Sequence, residues 1–383
     1  NGRGGRAMNN TIGRAVALTL FGESHGGEIG AVIDGLSPGI PVRKEEIAGA
    51  LARRRPKDET STGRREPDAF SIVSGVRNGK TTGAPLTILI PNVNARSEDY
   101  ESGAFLPRPS HADFAAFRKY HGYEDRRGGG HFSGRLTAPL VAAGAILSSA
   151  LATGGIAIGV HIAALAGLPD DGFSGEREAL SALGKKDFPV FSDAAGENMK
   201  EAIRRAAAEG DSVGGILEGF VLGLPAGLGE PWFDTVEGEL SKMLFSIPAV
   251  KGVEFGDGFA LAGMRGSEAN DPLAIRDGHV VTLTNRNGGC GGGITNGMPL
   301  RFSVAIKPTP SIFKKQNTVD PVAMTEEVLE LRGRHDPAIV HRAVPVVEAA
   351  CAVVLADLIA RRYGEDALTG GRFREAAIAE GCL

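Results

Sequence analysis

Three short stretches set titratable side chains among glycine, proline and serine: Phe21–Gly26 (FGESHG) with His25, Arg108–Asp113 (RPSHAD) with His111, and Gly333–Pro337 (GRHDP) with Asp336. Two imidazoles and a carboxylate, far apart along the chain, are the groups that proton transfer requires. An imidazole titrates at about 6.5, so modest changes of surroundings select either of its states. Arginines occur in similar settings, at Arg53–Pro56 (RRRP), Arg64–Arg65 and within Arg126–Arg135 (RRGGGHFSGR), and Gly291–Ile294 (GGGI) and Lys307–Ile312 (KPTPSI) add further loops. A guanidinium fork beside open backbone amides suits phosphate and carboxylate oxygens. Each stretch alone has a plain reading: the arginine run as the solvated end of a helix, the glycines as turns, and Asp336 as the cap of a following helix. Together, in a chain whose net charge is −4, they predict a concentrated anion site.

FGESHG also fits G-x-S-x-G, the nucleophile elbow of serine hydrolases, in which a strand leads into a sharp turn and then a helix. Here the next residues, Gly26–Gly35 (GGEIGAVIDG), read as a second strand, and the motif falls at the very start of the chain. The spacing therefore predicts a glycine-flanked hairpin that presents Ser24 and His25, rather than a hydrolase dyad.

Runs rich in β-branched residues predict strands at Arg14–Phe21, Ile29–Asp34, Phe70–Val76, Leu86–Ile90, Leu217–Leu222 and Leu300–Lys307. Helical patterns fall at Lys44–Arg55, Ala138–Ala152, Glu197–Glu209, Trp232–Ile247 and Val344–Tyr363. Strands arriving in pairs through glycine turns predict an α+β fold of antiparallel sheets. The last helix is apolar almost all round but carries Glu348 and Asp357, which favours a buried core helix over a membrane span. With no linker or repeat, residues 8–383 read as one domain, and residues 1–7, ahead of Met8, as an expression remnant. Three cysteines without metal-ligand spacing predict neither a disulfide framework nor a metal site, and fit a cytoplasmic protein. The acidic balance, with one Trp and four Tyr, argues against a nucleic-acid or membrane partner. A non-catalytic binder of a phosphorylated metabolite would need the cations but not the two histidines and Asp336.

In order and at similar spacings, GESHG…DG, RRRP…RRE, RP-x-HAD, RGGG…S-x-R, EPWFD at 230–234, VKGVEFGDGF at 250–259, KPTPS and GRHDP resemble the chorismate synthase family over nearly the whole chain. The resemblance implies a β-α-β sandwich in which antiparallel sheets enclose central helices, assembled as a homotetramer. It implies an anti-1,4-elimination of phosphate from 5-enolpyruvylshikimate 3-phosphate to give chorismate, with reduced FMN supplying a transient electron and no net redox change. By the same resemblance His25 stands near the leaving phosphate, His111 beside the flavin, and Asp336 helps to relay the C6 proton. Ser24, Arg54, Arg108, Arg135 and Arg334 face the substrate. His131, Phe132, Ser133, Pro248, Ala249, Gly292, Lys307, Pro308, Thr309, Pro310, Ser311 and Arg334 hold FMN, which an external reductase or NADPH keeps reduced. HFSGR, Ser110 and Pro248 depart from common family forms.

Overall fold

The computed structural model describes residues 9–57, 60–61, 66–93, 105–331, 336–371 and 375, so Met8, Arg64, Arg65 and Arg334 lie outside the described residues. The first sheet has the order β1-β2-β3-β5-β4, all antiparallel, with β1 Thr11–Ile12, β2 Ala17–Gly22, β3 Glu28–Asp34, β4 Ser71–Ser74 and β5 Leu86–Pro91. Alternation explains its two faces: Ile29, Ala31 and Ile33 on β3, and Leu86, Ile88 and Ile90 on β5, all point into the core. The second sheet has the order β9-β10-β8-β6-β7, again antiparallel, with β6 Ala157–Leu165, β7 Leu168–Pro169, β8 Gly215–Leu222, β9 Val250–Phe255 and β10 Leu300–Ile306. Leu300, Phe302, Val304 and Ile306 form its inward row.

Between the sheets α3 (Thr137–Thr153) packs on the first and α6 (Val340–Tyr363) on the second, with α1 (Lys44–Arg54) against both helices and α5 (Val236–Ser246) between α6 and β9, while α2 (Asp113–Tyr120) follows the His111 loop and α4 (Asp193–Ala208) packs by β7. The main hydrophobic core runs through both sheets and the central helices, and a smaller separate cluster gathers Leu180, Leu183, Phe220 and Leu222. Both α3 and α6 are apolar enough to cross a membrane by composition, but the apolar window of α6 is 94% buried inside the protein, as expected of a core helix. The two helices approach closely because Gly144 faces Ala349, where a Cβ would come within 2.3 Å of the alanine methyl. The antiparallel sandwich with central helices agrees with the expected fold class.

The helix charges are matched by partners from elsewhere. Glu348 takes both guanidinium nitrogens of Arg53, at 2.6 and 2.9 Å. Asp357 Oδ1 accepts the backbone N–H groups of Arg14, Ala15 and Val16 at 2.8, 2.7 and 3.0 Å. That nest is why the strand expected from Arg14 begins at Ala17, since the three preceding amides serve a carboxylate and not a ladder. The helix expected from Trp232 begins at Val236, because the Thr235 hydroxyl accepts the Gly238 N–H and caps it.

Candidate active site

The β2–β3 hairpin carries Ser24 and His25 as anticipated, and a strand, not a helix, follows the turn. Ser24 is wholly buried, and its N–H donates to the Gly130 carbonyl at 3.1 Å. Asn92, just past β5, holds the turn from the other side: its amide group donates to the Glu23 carbonyl at 3.0 Å and to that of Gly26 at 2.8 Å. Over the hairpin lies the run Gly128–Gly130, with φ of 58°, 84° and 53°. L side chains avoid that left-handed region. Space is equally decisive, because a Cβ on Gly128 would stand 2.2 Å from His25 Cε1, 2.4 Å from its Nδ1 and 2.9 Å from Ser24 Oγ. A Cβ on Gly129 would stand 3.5 and 3.6 Å from Cε1 and Nε2 of His111. The glycine loop thus brings the two distant histidines to neighbouring positions.

His111 belongs to a tight polar group at the start of α2. Its Nδ1 is 2.6 Å from Asp113 Oδ1, and Arg108 donates to the same carboxylate from Nε at 2.7 Å and from NH2 at 2.9 Å. Burial alone would push the Asp113 carboxyl up, but hydrogen bonds from His111 and Arg108 outweigh it and hold the group well below the usual carboxylate range. A lowered folded value stabilises the fold above the unfolded value of about 3.9 and loses that contribution as pH falls through the folded value. The thermal-stability gap between wild type and Asp113→Asn is therefore expected to be constant above about pH 5 and to narrow in strong acid. A gap unchanged down to the acid limit would contradict this pairing.

The loop after β10 joins the same group. Arg108 NH1 donates to Ser311 Oγ at 3.3 Å, Lys307 Nζ donates to the Ser110 carbonyl, and the Lys307 N–H donates to the Ala249 carbonyl at 3.0 Å. Pro248–Ala249 and Lys307–Ser311 therefore share one rim with His111. The Thr309 hydroxyl there is buried without a hydrogen-bond partner among the described residues.

A second cluster centres on Asp68, buried between Arg54 and Arg135. Arg135 donates to Asp68 Oδ1, to Asn92 Oδ1 at 2.9 Å and to the Pro91 carbonyl at 3.2 Å. Arg54 lies 3.5 Å from Asp68 and 3.4 Å from the Thr137 hydroxyl. Burial first, and the neighbouring Arg342 and Arg135 next, outweigh Asp68 and pull the Arg54 guanidinium down to about 10. Arg342 reaches the Arg54 carbonyl at 3.0 Å and both Asp336 oxygens at 2.8 and 2.7 Å. Three guanidiniums thus gather around two carboxylates, leaving an excess of positive charge for an anion. Asn92 joins this cluster to the His25 hairpin, since its oxygen takes Arg135 while its amide group holds the turn.

Two plain readings are corrected. The arginine run is no solvated helix end, because Arg54 is buried and Arg53 is paired with Glu348. Asp336 does not cap the following helix, whose N-cap Ile339 accepts no side-chain bond; Asp336 faces Arg342 instead. Among the flavin-assigned residues, the His131 ring lies 2.8 Å from the Gly22 carbonyl and 3.2 Å from Asn10 Oδ1, Phe132 is exposed near Tyr120, and the Ser133 hydroxyl accepts the Arg135 N–H. Gly292 lies between Cys290–Gly291 and Ile294–Thr295, in a hairpin tied to the first residue of α5 by the Val236 N–H bond to the Gly293 carbonyl. It makes no hydrogen bond to the histidine rim among the described residues. Asp68, Asn92, Asp113, Gly128 and Arg342 were not anticipated as site residues. Asp113 and Gly128 alone carried a local signal, each inside a motif already singled out.

A family profile described as chorismate synthase matches residues 16–360. The chain belongs to the chorismate synthase family. Chorismate synthase of Thermococcus gammatolerans is 51% identical, over 91% of this chain and 97% of its own, and that of Pyrococcus abyssi is 49% identical, over 92% and 98%. The solved structure described as the crystal structure of chorismate synthase superposes with a TM-score of 0.76 at 28% identity, covering 97% of this chain and all of the other. Chorismate synthases are phosphate-lyases of the shikimate pathway that convert 5-enolpyruvylshikimate 3-phosphate to chorismate with reduced FMN. The rim around His111 fits that cofactor: an unpartnered buried hydroxyl at Thr309, the Lys307 ammonium and the Arg108 guanidinium are donors suited to flavin oxygens and to its phosphate.

Proposed function

We propose that the elimination takes place between the two clusters, where the glycine loop sets His25 beside His111 next to the Arg54–Asp68–Arg135 group. The close approach of Gly128 to His25 and of Gly129 to His111 is the observation that carries this reading. Arg54 and Arg135, oriented by Asp68, bind the anionic groups of the substrate together with Ser24, Arg108 and Arg334. His25 donates a proton to the departing 3-phosphate, as an imidazolium can do near neutrality. Asp336, held by Arg342, takes part in removing the C6 proton, and His111 orients the cofactor from the rim formed by Pro248–Ala249 and Lys307–Ser311. His131, Phe132, Ser133 and Gly292 complete the cofactor site. Reduced FMN supplies the transient electron that eases C–O cleavage. Ser24 serves as a buried donor and not as a nucleophile, in keeping with the strand that follows it.

The homotetramer rests on the family resemblance, and exposed Trp232, Phe233, Phe259, Leu273 and Ile275 are apolar side chains that such an assembly could cover. The chain carries no insertion large enough for a second catalytic module, which supports an external flavin reductase with NADPH as an indirect source of electrons. Buried thiols at Cys290 and Cys351 support a cytoplasmic setting, and we read residues 8–383 as one domain. Single-turnover phosphate release with reduced FMN tests the assignment of roles. His25→Ala is expected to slow release by about a hundredfold or more, and by more than Ser24→Ala does. Undiminished release in His25→Ala, or covalent labelling of Ser24 by acylating reagents, would remove the proposed role.

A further inference from the structure

His111 has two ring nitrogens with different surroundings. Nδ1 lies 2.6 Å from Asp113 Oδ1 and 3.1 Å from Arg108 NH2, one an acceptor and the other a donor. Nε2 has no hydrogen-bond partner among the described residues and lies along the edge that Gly129 faces. With 17% of its side chain exposed, the ring is open to a ligand on that edge. An ionised carboxylate can only accept, so the shorter contact requires a proton on Nδ1. Arg108 NH2 carries a second N–H beside the one that Asp113 Oδ1 takes at 2.9 Å, but its contact to Nδ1 is the longer of the two, so the carboxylate decides what Nδ1 does. Among the described residues that bond this group, Lys307 adds an ammonium, which donates to the Ser110 carbonyl, while Ser311 offers a neutral hydroxyl and Gly128–Gly130 no charge.

We propose that Asp113 is a positioning residue that fixes the tautomer of His111, keeping the proton of the neutral ring on Nδ1 so that Nε2 meets the bound ligand as an acceptor. The inference deepens the proposed role of His111 and rests on it. Arg108 acts through Asp113 in turn: three of its N–H groups hold the carboxylate in place, much as an outer hydrogen bond orients a catalytic imidazole.

The experiment is magic-angle-spinning nitrogen NMR of FMN-free, full-length protein labelled at histidine, with the His111 signals assigned by their loss in His111→Asn. Wild type is expected to show the Nδ1–H form of the neutral ring. In Asp113→Asn the carboxylate is gone, Arg108 NH2 becomes the strongest group facing Nδ1, and the ring is expected to change to the Nε2–H form. Turnover should fall by roughly a hundredfold or more, as when a catalytic histidine is held in the wrong tautomer, with partial recovery in Asp113→Glu. An unchanged tautomer in Asp113→Asn, alongside a damaged His111→Asn enzyme, overturns the proposal. Full turnover in His111→Asn would instead remove the role of His111, and the two failures are told apart by that variant alone.

Discussion

Gly128→Ala is expected to abolish most of the turnover while leaving the protein folded. The added methyl would lie 2.2 Å from His25 Cε1 and 2.9 Å from Ser24 Oγ, so either the imidazole must swing away or the loop must move. A left-handed φ of 58° adds roughly 1–2 kcal/mol for any residue with a Cβ. Displacing a general acid by an ångström costs about a hundredfold in rate, and the loop that moves also faces His111. A loss of two to three orders of magnitude in turnover is therefore anticipated, with a fall in stability of only about 1–3 kcal/mol. Gly49→Ala is the comparison, since nothing lies within 4 Å of its Cβ position in α1, where alanine is the better helix former. Steady-state turnover and chemical unfolding of both variants decide the matter. A Gly128→Ala enzyme of near-normal rate would mean that His25 is not held where this geometry holds it.

Asp68→Ala should be among the most destabilising single changes in the chain. Its carboxylate is buried between Arg54 and Arg135, with Arg342 close enough to lower the Arg54 guanidinium, so its removal leaves like charges facing one another out of water. Breaking a buried pair by deleting one partner costs about 3–5 kcal/mol. Asp68→Asn keeps an acceptor and should cost less. Because the deficit is one of negative charge, inorganic phosphate should raise the melting temperature of Asp68→Ala more than that of wild type. Urea unfolding with and without phosphate measures both effects. A loss below about 1 kcal/mol would show that the cluster is solvated or otherwise neutralised.

The parts of the fold legible in the sequence were those with strong periodicity and local punctuation. β2 and β3, and β4 and β5, were paired correctly through their glycine turns, and α3 and the almost wholly apolar α6 were recognisable as helices. β6 escaped notice because Ala157–Leu165 mixes alanine and glycine with its branched residues, although it is the inner neighbour of β8. In the site, residue type disclosed His25, His111 and the arginines, and eight ordered motifs disclosed the family. What stayed hidden were the residues that only position others. Asp68 and Asn92 have no local pattern, because their partners Arg54, Arg135 and the hairpin come from other elements and meet them only when the first sheet packs with α1 and the start of α3.

The Asp357 nest has a consequence for how the chain is made. A carboxylate near the end of the last long helix satisfies the amides that lead into β2, across 341 to 343 residues of sequence. During synthesis from the N-terminus, Arg14–Val16 must wait for α6, and so must α1, whose Arg53 is completed by Glu348. The first sheet can therefore pack on α3 once that helix emerges, but the faces of α1 and α3 that lie against α6 stay open until α6 has left the ribosome. Contacts of such range form slowly and expose partly folded chains to aggregation in the interval. Truncated nascent chains lacking α6 should thus engage chaperones strongly, and the native state should appear only once α6 has emerged.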